Sequence, residues 1–115
     1  MIMIQVNELR LKNWVLNIYD SPVQVTVIDD TIDWPKPIPL TPEILVKCGF
    51  KKLNNAWVPI DYSATDYLKW SFTIWDNKDG TYRYNSAEFI PELKYLHQLQ
   101  NLYYALTGEE LIYKP

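Results

Sequence analysis

The sequence feature that most constrains the fold is an apolar stripe near the C-terminus. Leucine recurs every three or four residues from Leu93 to Leu106, a spacing that places these side chains on one face of a helix. Gly108 follows the last apolar position, where a left-handed C-cap favours a residue without Cβ. The spacing therefore predicts a helix of roughly 14 residues, about 20 Å long, that packs on a sheet and ends before Gly108.

A second stripe on the same helix carries polar and aromatic groups. His97, Asn101 and Tyr104 follow one another at i, i+4 and i+7, and Gln100 lies beside them. An imidazole, an amide and a phenol on one face can hydrogen-bond to a flat heterocycle and stack on it, which makes these four residues candidate ligand-binding residues. The alternative is a stripe that packs under a neighbouring loop, with its polar atoms satisfied by backbone groups.

The remaining patterns predict short antiparallel strands. Trp14 to Tyr19 and Val23 to Val27 alternate apolar and polar residues across a turn at 20–22, and 69–75 pairs with 81–84 across a turn at 76–80. Residues 2–6 and 56–62 are two further strands, the second assigned to an edge because of Pro59. Thr41-Pro42-Glu43 starts a short helix that Gly49 ends. We therefore predict an α+β fold: an antiparallel sheet or half-open β-roll of about five or six strands, covered by one short helix and the long C-terminal helix.

The predicted hairpin near residue 80 holds a second candidate cluster. Arg83 lies between Tyr82 and Tyr84, and Trp75 precedes the turn. A cation among aromatic rings can hold a charged aromatic ligand, so all four residues are candidate ligand-binding residues. The alternative is an ordinary exposed strand face with cross-strand aromatic pairs.

Composition narrows the classes of function. A chain of 115 residues forms a single domain, 1–115, and its 48% hydrophobic content is typical of a folded protein. The formal net charge of −3 disfavours general nucleic-acid binding, which needs an electropositive face. Cys48 is the single cysteine, so we expect a reducing compartment. The sequence shows no signal-peptide pattern and no long apolar run, so we expect a cytoplasmic protein that does not bind membranes.

The motifs of the common catalytic and metal sites do not occur. With only three glycines, phosphate-binding loops are excluded. The segment 76–80 fits a hairpin turn better than a calcium loop, and zinc would need more His or Cys ligands. Cys48 falls on the apolar face of its helix, which disfavours a nucleophile paired with His97. We therefore predict a protein that is not an enzyme, with no cofactor and no metal.

Two segments resemble a known group of proteins. NELRLKNWV at 7–15 and YLHQLQNLYYALTGEEL at 95–111 resemble small uncharacterised proteins encoded by phages and prophages of gut bacteria, in which glycine usually stands at the position of Lys12. The resemblance implies a phage-associated origin and assigns no catalytic residue. Small cytosolic phage proteins without enzymatic motifs are mostly binders of host proteins, virion parts or the nucleotide signals of bacterial immunity.

These observations lead to two functional hypotheses, with a hydrolase that acts on a nucleotide as a distant third. The first is a non-enzymatic phage accessory protein that acts in the cytoplasm of the bacterial host and sequesters a small nucleotide-like ligand. Stacking would come from the aromatic residues of the two clusters, hydrogen bonds from His97, Gln100 and Asn101, and charge compensation from Arg83. The alternative is a protein-interaction module that binds a host or virion protein through an exposed apolar patch. The oligomeric state stays open, with a homo-oligomer as one possibility.

Overall fold

The computed structural model describes residues 9–17, 19–26, 36–60, 72–84 and 92–115. Within these ranges the chain forms two antiparallel sheets and two helices, which confirms the predicted α+β class. The elements in chain order are β1 (Trp14–Leu16), β2 (Pro22–Gln24), α1 (Pro42–Lys47), β3 (Phe50–Leu53), β4 (Ala56–Pro59), β5 (Ile74–Asp76), β6 (Tyr82–Tyr84) and α2 (Leu96–Thr107).

The larger sheet is a meander of four strands in the order β3-β4-β5-β6. Strand β3, which the sequence analysis did not predict, pairs with β4 through a turn in which Asn54 has a φ of 59°. The assignment of β4 to an edge was wrong, because β4 lies between β3 and β5. Pro59 is tolerated there because it is the last residue of β4, and β5 pairs only with Ala56 and Trp57.

The smaller sheet is the predicted hairpin, β1 paired with β2. The sequence pattern predicted one buried face for β1, but the structure covers both of its faces. Trp14 and Leu16 pack against the main core, while the buried Val15 joins Leu9 and Val25 in a small second cluster. β1 therefore links the two clusters and lies beside α2.

Helix α2 begins three residues later than the apolar stripe suggested. Leu93 instead forms a β-bridge with Tyr82, and its backbone N–H and C=O both bond to Tyr82. The side-chain oxygen of Gln98 accepts from the N–H groups of Lys94 and Tyr95 at 2.8 and 3.1 Å, which satisfies donors at the helix start. The helix ends as predicted at Gly108, whose φ of 76° is left-handed.

The main core lies between the larger sheet and α2. Fully buried side chains from both layers interdigitate there, and the Phe72 ring contacts Tyr84 and Tyr103 with centroids 4.8 and 5.0 Å away. Residues 111–113, which follow the helix, form no strand, and two of their side chains, Leu111 and Tyr113, are buried. The buried members of this core are Ile38, Leu40, Leu45, Cys48, Phe50, Trp57, Phe72, Ile74, Tyr82, Leu93, Leu96, Leu99, Leu111 and Tyr113.

Helix α1 follows its local signals. The Thr41 hydroxyl accepts the N–H of Ile44 at 3.2 Å, and Gly49 takes a left-handed φ of 85° after the last turn. The predicted strand at 2–6 and parts of those at 14–19, 23–27, 56–62 and 69–75 lie outside the described residues. Neither of the two helices described is long and apolar enough to cross a membrane.

Candidate functional site

A tight turn at residues 10–13 forms the base of the candidate site. The N–H of Asn13 donates to the C=O of Arg10 at 3.1 Å, and Lys12 has a φ of 75°. A positive φ at the third residue is the mark of a type II turn, and glycine or asparagine is favoured there. The side chain of Asn13 closes the turn by accepting the N–H of Arg10 at 2.7 Å.

Two amide side chains of α2 hold this turn against the helix. The Oε1 of Gln100 accepts the N–H of Trp14 at 2.9 Å, and its Nε2 donates to the C=O of Lys12 at 3.4 Å. The Oδ1 of Asn101 accepts from the Nδ2 of Asn13 at 2.8 Å. Buried polar groups need such partners, so the polar stripe of α2 is matched to a turn almost ninety residues earlier in the chain.

Arg10 extends this network to the segment after α2. Its Nε donates to the Oδ1 of Asn101 at 3.1 Å, and its Nη2 donates to the C=O of Gln100 at 3.3 Å. Its Nη1 donates to both carboxylate oxygens of Glu110. The guanidinium also lies over the ring of Tyr104, with Cζ 4.3 Å from the ring centroid. Four contacts thus fix the guanidinium in one orientation, as its planar fork of donors allows.

A surface groove of about 400 Å³ opens beside this network. Glu110 compensates the charge of Arg10, whereas Lys12 forms no ion pair within the described part of the chain. The groove therefore combines an apolar lining with one uncompensated positive charge. Its lining residues are Leu9, Arg10, Leu11, Lys12, Tyr104 and Glu110.

The four predicted residues of α2 occupy different environments. His97 and Gln100 are each only 1% exposed, and the rings of His97 and Tyr95 are parallel with centroids 6.0 Å apart. Asn101 is half-buried in the network, and Tyr104 is 44% exposed at the groove. The structure thus brings Tyr104 to the groove and Asn101 into the hydrogen-bond network behind it. It places Gln100 beneath the turn and His97 in the interior, where neither side chain lines the groove.

The structure separates the second predicted cluster into two faces of the larger sheet. Trp75 and Arg83 are directly paired across β5 and β6, and the Arg83 Cζ lies 5.9 Å from a Trp75 ring centroid. Tyr82 and Tyr84 point to the opposite, core face because side chains alternate along a strand. Since α2 packs on the core face, the two predicted clusters do not form one site.

The sequence analysis did not select Arg10, Leu11, Lys12 or Glu110 as site residues. All four lie within the two segments quoted for the resemblance, 7–15 and 95–111. These segments meet in space through the bonds of Arg10 to Asn101 and Glu110. A search for one polar network shared by both segments could have found them.

The described residues hold no cluster of metal ligands, and their one thiol is buried. No three His, Cys, Asp or Glu side chains gather in these ranges as a metal site would require. Burial raises the pKa of the Cys48 thiol from its ordinary value of 9.0 to about 12. The thiol is therefore protonated at neutral pH and is a poor nucleophile.

Comparisons with known proteins give no assignment for this site. The chain matches no protein-family model, no curated protein sequence and no solved structure. Its function therefore has to be inferred from the contacts, charges and burial of the described residues.

Proposed function

We propose that this chain is a non-enzymatic binding protein whose groove at the 10–13 turn takes a small nucleotide-like ligand. The observation that carries the proposal is the arrangement of Arg10, Tyr104 and Lys12. The Arg10 guanidinium covers one face of the partly exposed Tyr104 ring, and Lys12, which forms no ion pair among the described residues, lines the same groove. Sites for small ligands commonly combine an apolar lining with a few fixed polar groups in pockets of about 300–1,000 Å³.

Each part of such a ligand has a matching group. A flat base can lie against the exposed part of Tyr104 and the apolar side chains of Leu9 and Leu11, which line the same groove. A phosphate can pair with the ammonium of Lys12. Because Arg10 is already bonded to Glu110, its main contribution is to hold Tyr104 and the turn in place rather than to supply net charge.

The buried amides have a positioning role in this proposal. Gln100 and Asn101 fix the backbone of Lys12 and the side chain of Asn13. A preformed turn reduces the conformational entropy that a ligand would otherwise have to overcome. His97, buried one helical turn before Asn101, supports the packing of α2 and makes no direct ligand contact.

The phage-like motifs suggest where such binding would matter. In an infected bacterium, a small cytoplasmic protein that sequesters a nucleotide signal would blunt a host defence. We include this counter-defence role in the proposal, and it rests on the resemblance together with the chemistry of the groove. A protein that only binds its ligand needs no catalytic group, which agrees with the protonated thiol of Cys48.

A thermal-shift screen against linear and cyclic nucleotides and ADP-ribose derivatives tests this proposal. A ligand at a hundred times its dissociation constant stabilises the folded state by about 2.7 kcal/mol. For a domain of this size, that corresponds to a rise in Tm of roughly 10 °C. If every compound leaves Tm unchanged while the protein unfolds cooperatively, the ligand proposal is wrong.

Three variants locate the site once a ligand is found. Tyr104→Ala and Lys12→Gln should each weaken binding at least about fivefold, by loss of stacking and of one charge pair (about 1 kcal/mol each). Arg83→Gln is the matched control, because Arg83 also lies near an aromatic ring but on the outer face of the sheet. A loss confined to Arg83→Gln would place the site at β5 and β6 instead.

One observation favours a protein partner as the second candidate. Leu11 and Ile112 are 50% and 64% exposed, and both lie close to Lys12 and Glu110. Exposed apolar side chains near an arginine and a tyrosine are typical of interface hot spots. If the nucleotide screen is negative, a host or virion protein should co-purify with the wild type and be lost with Leu11→Asp. Retention by that variant would contradict this candidate.

A further inference from the structure

A second depression of about 380 Å³ adjoins the groove. Lys12 and Glu110 line both depressions, so the two share one boundary. The first contains Tyr104, and the second contains Trp14, Ile112 and Tyr113. Each depression by itself is near the lower end of the range for small-ligand sites, which suits one ring system in each.

The second depression has its own surface for a flat ring. The partly exposed Trp14 ring is held edge to face by the buried ring of Tyr113, with centroids 5.3 Å apart, and Ile112 adds an exposed aliphatic surface. Gln24 supplies a polar group at the rim, where its Nε2 donates to the C=O of Lys12 at 3.1 Å. A base could stack or pack there and hydrogen-bond to the oxygen of this amide.

The charges favour an anion at the boundary between the depressions. Glu110 is bonded through both oxygens to Arg10, so these two charges compensate each other. Lys12 forms no ion pair among the described residues, so the three charged side chains at this boundary have a net charge of +1. A ligand with one negative group between two rings would match this distribution.

The backbone of Lys12 is held in this position. Its N–H donates to the C=O of Val25 at 2.8 Å, and its C=O accepts from Gln24 and Gln100. Its φ of 75° is a conformation that a lysine adopts at a cost. Costly backbone conformations persist where the surrounding structure enforces them and are concentrated at functional sites.

We infer that the ligand is a dinucleotide, with one base in each depression and the linking phosphate against Lys12. This inference rests on the proposed function, and it adds the ligand class and a second subsite. A mononucleotide could fill only one depression, so it would leave either the second ring surface or the cation unused. General binding to long nucleic acid is disfavoured by the net charge of −3.

Isothermal titration of the full chain with defined probes tests the inference. The probes are adenosine, AMP, the dinucleotides ApA and GpG, and a ten-residue oligoadenylate. We expect at least one dinucleotide to bind tenfold or more tightly than AMP. Replacing the phosphate of that dinucleotide by an uncharged methylphosphonate should reduce the affinity to about that of AMP.

Variants separate the two subsites. Ile112→Asp should reduce dinucleotide affinity about tenfold and leave AMP affinity unchanged, because AMP needs only the first depression. Tyr104→Ala should weaken both ligands. Leu53→Asp is the matched control, since Leu53 is also an exposed aliphatic residue but lies on β3, and it should change neither.

The outcomes distinguish this inference from the proposed function. Equal affinity for AMP and both dinucleotides, or an equal effect of Ile112→Asp on both ligand types, would overturn the two-part site and leave the small-ligand function intact. Tighter binding of the oligoadenylate than of ApA would overturn a free dinucleotide as the ligand. If no nucleotide probe binds a well-folded sample, the proposed function itself fails.

Discussion

Replacing Asn13 by alanine removes the side chain that joins the 10–13 turn to α2. Asn13 is fully buried; its Oδ1 accepts the N–H of Arg10 at 2.7 Å, and its Nδ2 donates to Asn101 at 2.8 Å. The Arg10 N–H is then left without its acceptor, which costs about 1–3 kcal/mol in a part-buried site. Asn101 keeps its bond from the Arg10 Nε, so the loss there is smaller, about 0.5–1.5 kcal/mol. We therefore expect Asn13→Ala to lower the free energy of unfolding by roughly 2–4 kcal/mol.

Urea unfolding followed by tryptophan fluorescence measures this loss directly. The midpoint should fall with an unchanged slope, and Tm should fall by roughly 10 °C. Asn17→Ala is the matched control, because the Asn17 Oδ1 also accepts two N–H groups, those of Tyr19 and Ser21, but in an exposed turn. The control should lose less than about 1 kcal/mol, since water replaces its bonds.

A double-mutant cycle with Asn101→Ala isolates the pair. Directly bonded residues typically couple by about 0.5–3 kcal/mol, so the double variant should be less destabilised than the sum of the two single changes. If Asn13→Ala costs no more than Asn17→Ala, or if the two sites are additive, then Asn13 does not hold the turn on α2 and the account of the network is refuted.

Three further predictions follow from local features. Lys12→Gly should stabilise the fold by up to about 1 kcal/mol, because glycine adopts the left-handed conformation without strain. Lys12→Val should destabilise the fold by about 1–2 kcal/mol. If urea unfolding gives the valine variant the higher midpoint, the assignment of a type II turn is wrong. Thr41→Ala should lower the free energy of unfolding by about 1 kcal/mol, because it removes the N-cap acceptor of α1, whereas Thr41→Ser should change it little. Equal melting temperatures for the two variants would show that the cap does not contribute to stability. The pKa of Cys48 is higher in the folded state, about 12 against an ordinary 9.0. Keeping this thiol protonated therefore contributes fully to the free energy of unfolding below about pH 9. Between about pH 9 and pH 12 the contribution is lost, by up to about 1.4 kcal/mol per pH unit. Unfolding measured from pH 8 to 11 should be less pH-dependent for Cys48→Ala, and rapid thiol labelling of the folded wild type at pH 8 would contradict the burial.

The candidate site shows where sequence reasoning stopped. The spacing of His97, Asn101 and Tyr104 placed them on one helical face, and a loop packed over that face was one of the two interpretations. The residues of that loop could not be predicted, because periodicity describes a single helix or strand and not the segment that packs on it. Only the folded chain shows that Arg10 and Asn13 meet Asn101 and that Gln100 faces inwards.

The larger sheet shows the same limit. The hairpin of β5 and β6, although not its register, followed from alternation and a turn signal between adjacent strands. The central position of β4 could not be predicted in this way, because it depends on the pairing with β3. Lys51 and Lys52 interrupt the apolar alternation of β3, so the sequence did not indicate a strand there. Strand order is decided by which edges pair in space, and a proline at a strand end gives little information about it.

The sequence by itself determined the local structure of this protein: the helical period of α2, its end at Gly108, the Thr41 cap and the hairpin of β5 and β6. Each of these depends on residues within a few positions of one another, so short-range sterics and hydrogen bonding are sufficient. The tertiary structure alone decided the site, since Arg10 and Glu110 are a hundred residues apart in the chain. Their contact depends on the packing that brings the 10–13 turn and the end of α2 together.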